Sequence, residues 1–184
     1  MRLNLGAGVK RIEGFLNVDL DVDTHPDIVG SISDLSAVES GTVEEIVAYH
    51  VIEHIFRWDV HDTLTEWRRV LIPGGKVAIE CPDLDKCIHN YLTYPDRPEL
   101  STRGIFGDDR LRDPLHMHHW CFTIPELINE LRRAGFVKIR EEEPQTHRPM
   151  SAMRDLRLVA YKPDEMGRAS YERLKNEIIY RHQP

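Results

Sequence analysis

The feature that most restricts how this chain can fold is the interval between its first two apolar runs. Leu3-Asn4-Leu5 leads into Gly6-Ala7-Gly8, and the next apolar run opens at Phe15, so only the eight residues Ala7–Gly14 separate the two. A strand entering a Gly-x-Gly turn offers backbone that tolerates positive φ and can lie bare against a ligand. A helical crossover between parallel strands takes about a dozen residues or more, so at most about one turn of helix fits here. The third glycine of a dinucleotide fingerprint would fall at position 11, which is arginine. That fingerprint also needs a helix N-terminus facing the pyrophosphate. A nicotinamide dinucleotide would therefore lack its phosphate anchor, whereas a nucleoside ligand without phosphates would lose much less.

Around this turn, short apolar runs alternate with helical patterns, as in βαβ units with a parallel sheet. Strands are predicted at Arg2–Gly6, Phe15–Leu20, Asp27–Val29, Glu45–His50 and Lys76–Cys81. Between the last two, Val60, Leu64, Trp67 and Leu71 form one stripe of a helix over Asp59–Leu71, which Pro73-Gly74-Gly75 ends. Thr123 and Glu126 make a capping box for a second helix with the stripe Leu127, Leu131 and Ala134 and a C-terminal Gly135. Val137–Arg140 and Leu156–Tyr161 read as two closing strands, an antiparallel hairpin being one arrangement, and a last helix is predicted over Arg168–Tyr180. The stretch Leu84–Trp120 is less regular, with Pro95, Pro98, Pro114, Gly104, Gly107 and four histidines. An irregular stretch of that length in a compact domain reads as a lid or substrate insert. The organisation expected is one α/β domain over 1–162, containing the 84–120 insert, followed by a helical extension over 163–184.

Composition narrows the function classes. The formal charge is −7, and the paired arginines Arg68-Arg69 and Arg132-Arg133 fall in the predicted amphipathic helices, so no basic track for nucleic acid is expected. No apolar run approaches the ~20 residues of a membrane helix. Cys81, Cys87 and Cys121 form no CxxC pair and are odd in number, so a reducing, cytoplasmic setting is expected.

The segments LNLGAG (3–8), GFLNVDL (14–20), DIVGSISDL (27–35), EEIVAYHVIEHI (44–55), LTEWRRVLIPGGKVAIECPDL (64–84) and HHWCFTIPELINELRRAGF (118–136) stand in a telling order. Together they resemble a class I S-adenosylmethionine-dependent methyltransferase, of the small bacterial kind with a curtailed first helix. The resemblance covers roughly the first three-quarters of the chain. It implies a doubly wound, mostly parallel Rossmann-like sheet with a terminal antiparallel strand, and S-adenosylmethionine as cofactor. The cofactor would lie at the strand tips, against Asn4, Gly6, Ala7, Gly8, Asp19, Leu20, Ser31, Ile32 and His50. Asp19 takes the place of the family's ribose-binding acid. Ser31 stands where an aspartate is frequent, and Asn4 replaces an acidic residue common in the first strand. In open α/β sheets, ligands do bind beyond the carboxyl ends of the strands where strand order reverses.

His50-Val51-Ile52-Glu53-His54 also spells H-x-x-E-H, a zinc-hydrolase pattern when both histidines share a helical face. The preceding Glu45–Tyr49 reads as a strand, which would set His50 and His54 astride a turn, so no metal is assigned. His116-Met117-His118-His119-Trp120-Cys121 lacks the ligand spacing of a structural zinc site. Methyl transfer to oxygen usually needs a base, and His50, Glu53, Asp83 and His118 are the candidates. The expected acceptor is a small molecule or carbohydrate, because CPDL at 81–84 supplies no Asn/Asp-Pro-Pro-Tyr element for amide or base nitrogens. The alternatives are a non-catalytic methyltransferase-like binding protein and a zinc hydrolase acting through His50, Glu53 and His54. With so short a first crossover, one apolar sheet face is expected to need cover, from 168–180 or from a second subunit as a homodimer.

Overall fold

In the computed structural model, which describes residues 1–147 and 149–164, the predicted alternation becomes one seven-stranded sheet. Strands β1 (Arg2–Leu5), β2 (Leu16–Asp19), β3 (Ile28–Val29), β4 (Val43–Tyr49) and β5 (Leu71–Pro82) pair in parallel. β7 (Asp155–Tyr161) joins β5 antiparallel and holds β6 (Val137–Glu141), also antiparallel, at the edge. The order β3-β2-β1-β4-β5-β7-β6 winds outward in both directions from β1 and β4, which places a switch point between them. β5 is longer than the apolar run suggested. Leu71 already pairs with Val43, and Pro73-Gly74-Gly75 loops out before Lys76 pairs with Glu45, with Gly74 at φ 76.

Strand alternation decides which face carries the core. Leu3, Leu5, Val18, Ile46, Ala48, Val77, Ile79, Leu156 and Leu158 belong to one buried cluster. Onto them pack Val60, Leu64 and Trp67 of helix α1 (Val60–Val70) and Leu127 and Leu131 of helix α4 (Ile124–Arg133). Trp67 is fully buried and its indole N–H donates to the Ile32 carbonyl at 2.7 Å, which ties α1 to the loop after β3. Thr123 caps α4 by accepting from Glu126 N–H, as the capping box predicts.

The opposite face differs from expectation. By the same alternation it carries Asn4, Asn17, Glu45, Lys76, Glu80 and Arg157. These satisfy one another: Asn4 Nδ2 donates to Asn17 Oδ1 at 2.9 Å, Lys76 pairs with Glu45 at 2.6 Å, and Arg157 pairs with Glu80 at 3.4 Å. Among the described residues its buried apolar part is Val47, Ala78 and Val159, packed by Ile12, Phe15, Tyr49 and Tyr161. Shortening the first crossover thus leaves a mainly polar face, because polar residues occupy the positions a helix would otherwise cover. The predicted 168–180 helix lies outside the described residues.

Residues 84–120 hold more structure than their composition signals. Helix α2 (Leu84–Thr93) opens the stretch, and a short helix α3 (Thr102–Phe106) follows. α2 buries only Cys87 and Asn90, while Ile88, Tyr91 and Leu92 are exposed, so it shows no core-facing apolar stripe to read. The short helix α5 (Met150–Arg154) leads directly into β7.

Candidate active site

Two adjoining features form at the carboxyl ends of the parallel strands. The first is built on the glycine turn. No helix occurs between β1 and β2; instead Gly6 and Ala7 N–H both donate to the Val18 carbonyl at 2.9 and 3.3 Å. Asn4 Nδ2 holds the turn by donating to the Lys10 carbonyl at 2.9 Å. Gly6 has φ +62, and a side chain there would enter Val51, so packing alone demands this glycine. Gly8 has φ +51 with no described residue within 4 Å of a Cβ built on it, so its face can admit a ligand.

Gly8 N–H donates to Asp19 Oδ2 at 2.7 Å, and Asp21 N–H donates to Asp19 Oδ1 at 2.9 Å. The carboxylate is thereby fixed at the tip of β2 with lone pairs to spare. Leu20 beside it is 58% exposed, an apolar surface at the same edge. A bare glycine backbone, a pinned carboxylate and a nearby apolar surface, without a helix N-terminus for phosphates, fit the nucleoside part of S-adenosylmethionine. Ser31 and Ile32 sit after β3, and Ile32 is buried against α1.

The second feature is a cavity of about 300 Å³ whose described lining residues, apart from Pro82 and Met150, have polar or charged side chains. His50, Glu53, His54, His118, His147 and Arg154 are among its lining. His50 follows directly on β4 with φ 55, an uncommon conformation for a residue with a side chain, and one that clusters at functional sites. Its Nδ1 lies 3.5 Å from Glu53 Oε1, and its Nε2 lies 3.4 Å from Asp155 Oδ2 and 3.1 Å from Thr146 Oγ1. Burial alone would favour neutral imidazole, but Glu53, Glu80 and Asp155 outweigh it and raise the pKa to about 9.

Glu53 is 1% exposed. Burial pushes its carboxyl upward, yet the imidazoles of His50, His54 and His118 hold it below the usual range. Glu80 is brought down to about 2, burial being outweighed by His50 and by N–H donation from Gln145 and Thr146 at 2.8 and 2.9 Å. Burial lowers His118, which favours the neutral ring.

Of the catalytic candidates, the structure brings His50, Glu53 and His118 together. Asp83 is not among the cavity-lining residues; its side chain accepts from Asp85 N–H as the N-cap of α2. Residues 44–54 are not one helix, since β4 ends at Tyr49 and a separate short turn spans Ile52–His54. His147, Asp155, Arg154 and Glu80 escaped the sequence reading. Their segments lie far apart in the chain, and the one available signal was the charged pair Asp155 and Arg157 inside the apolar strand DLRLVAY.

A strand order reversing between β1 and β4, an antiparallel β7 between β5 and β6, a glycine turn and an acid at the tip of β2 together match the class I methyltransferase fold. Residues 8–79 match a family model described as "Methyltransferase domain". A search of curated proteins found no match. Similar solved structures include a SAM-dependent methyltransferase from Thermotoga maritima, at TM-score 0.59 and 14% identity, over 88% of this chain and 81% of that one. Another, from Archaeoglobus fulgidus, aligns at TM-score 0.59 and 16% identity over 88% and 85% of the two chains. A third is the 1,6-didemethyltoxoflavin-N1-methyltransferase of Burkholderia thailandensis with bound S-adenosylhomocysteine, at TM-score 0.55 and 18% identity over 89% and 71%. The chain thus has the fold of S-adenosylmethionine-dependent methyltransferases, and residues 8–79 match the methyltransferase domain itself. No helix among the described residues is long and apolar enough to cross a membrane.

Proposed function

We propose that this methyltransferase acts on a small, hydroxyl-bearing molecule, carbohydrate-type acceptors included, seated in the cavity beside the cofactor cleft. The observation that carries this reading is the cavity wall: among the described lining residues, all but Pro82 and Met150 carry hydrogen-bonding or charged side chains, which suits a hydroxyl-bearing acceptor. When bound, S-adenosylmethionine supplies a methyl group on a sulfonium sulfur, open to in-line displacement. Asp19 would accept from the ribose hydroxyls, and the open face of Gly8 would admit the ligand to the backbone.

His50 stands where cleft and cavity meet. Ringed by Glu53, Glu80 and Asp155, it serves as a proton donor and positioning group rather than the base. Lone pairs that could serve an acceptor hydroxyl include those of Glu53, His54 and His118 in the same wall. Most of the catalysis would come from positioning and exclusion of water.

The test combines calorimetry with product detection. S-adenosylmethionine is expected to bind in the micromolar range, on the order of −8 kcal/mol. S-adenosylhomocysteine should then form with polyhydroxylated acceptors and not with apolar aromatic amines. Turnover confined to the amines would overturn the acceptor reading, and absence of cofactor binding would overturn the whole.

A further inference from the structure

We infer that Glu53, His54 and His118 form a site for a divalent transition-metal ion on the wall of the acceptor cavity. Glu53 is almost completely buried, and neither of its carboxylate oxygens accepts a hydrogen bond from the described residues. A buried carboxylate with bare lone pairs is costly unless a cation compensates it. His50 stands within ion-pair range, its Nδ1 3.5 Å from Oε1, without forming that bond.

Two imidazoles complete the set. His54 Nδ1 lies 3.1 Å from the Met117 carbonyl and His118 Nδ1 lies 2.9 Å from the Gly104 carbonyl. A carbonyl only accepts, so each ring carries its proton on Nδ1 and leaves Nε2 as a lone pair. His118 Nε2 faces Glu53 Oε1 at 4.0 Å, and the two rings meet edge to face with centroids 4.8 Å apart. A backbone carbonyl holding the far nitrogen is the usual way a histidine is oriented toward a metal. The donor atoms of the three residues lie within 4.8 Å of one another. Ligands about 2.1 Å from one ion stand roughly 3–3.5 Å apart, so small side-chain rotations close the set. His119 and Trp120 N–H both donate to the Glu53 carbonyl, at 2.8 and 3.1 Å. These bonds clamp the segment bearing His118 onto the turn bearing Glu53 and His54.

The ligand set departs from the one H-x-x-E-H suggests, because the fold replaces His50 with His118. A second triad, His50, His147 and Asp155, lies close by. It is the weaker candidate, since Arg154 already occupies both Asp155 oxygens at 2.5 and 3.1 Å and would lose its partner.

One carboxylate and two imidazoles suit zinc, manganese, cobalt or iron(II) better than calcium or magnesium. The remaining coordination positions would open onto the cavity, where hydroxyl or carboxylate oxygens of the acceptor fit. That role of the ion rests on the acceptor reading above; its binding does not.

The test uses the full-length chain after treatment with chelator. Co2+ is titrated by its d–d absorption and Zn2+ by calorimetry. About one equivalent is expected to bind at micromolar affinity or tighter. His54→Ala and His118→Ala should each weaken binding by about tenfold or more, the scale seen when even outer-shell support is lost, while His147→Ala binds as the parent does. Circular dichroism reports folding; if an alanine variant fails it, His54→Gln or His118→Gln replaces it in the comparison. S-adenosylmethionine affinity, measured on the same samples, reads the methyltransferase assignment separately. Lack of stoichiometric binding in the parent, or full affinity in the His54/His118 double variant, overturns the inference. So does loss on His147→Ala with retention on His118→Ala, which would move the ion to the other triad.

Discussion

Gly6 and Gly8 share a left-handed backbone but are glycine for different reasons, and this separates structure from ligand binding at single residues. A Cβ at Gly6 would stand 2.2 Å from Val51 Cγ2. Gly6→Ala is expected to cost upwards of about 2 kcal/mol, clash and backbone strain together. Adding Val51→Ala should recover the clash but not the strain, as thermal melts of the pair would show. Gly8→Ala meets no neighbour and should cost only about 1 kcal/mol of stability, the strain of its backbone, while lowering S-adenosylmethionine affinity disproportionately. Asp19→Ala should weaken that affinity by at least about tenfold, roughly 1.4 kcal/mol. A variant that is folded by circular dichroism and binds as tightly as the parent would show that the carboxylate serves only the turn. Gly6, Gly8 and Asp19 were legible in the sequence because strand, turn and acid are local features. The open space over Gly8 and the clash at Gly6 were not, because Val51 reaches the turn only through sheet pairing.

At the scale of elements, Asp83 distinguishes capping from chemistry. As N-cap of α2 it accepts from Asp85 N–H at 3.0 Å, and asparagine caps nearly as well. Asp83→Asn should therefore keep both stability and turnover, whereas Asp83→Ala should lose about 1 kcal/mol. A collapse of turnover in the asparagine variant would restore Asp83 as a chemical group. Helices α1 and α4 were readable because each buries one clear stripe. α2 was not, since its apolar residues face outward and its cap resembles any loop aspartate.

For the molecule as a whole, the buried charges make stability depend on pH. Glu80 is fully buried, and its folded pKa of about 2 lies below its unfolded value of 4.5. Its contribution is complete above about pH 4.5 and fades as the pH falls toward 2. It is at most about 3 kcal/mol, from 1.36 kcal/mol per pKa unit. Denaturant melts across that range should show Glu80→Gln less stable than the parent at neutral pH, with a flatter acid limb. Parallel acid limbs in the two proteins would assign the acid sensitivity to other carboxylates.

By itself, the sequence determined the strand-and-helix alternation, the curtailed first crossover and the glycine turn with its acid. Each depends on hydrophobic period or backbone freedom within a few residues. Only the tertiary structure decided that the face opposite the core is polar and self-satisfied, and that Glu80 and Asp155 close around His50. It also decided that His118, from a distant segment, reaches the carboxylate of Glu53 alongside its sequence neighbours His50 and His54. Those choices depend on sheet order and on backbone hydrogen bonds between segments more than 60 residues apart, as from His119 to Glu53, and no local pattern carries that information.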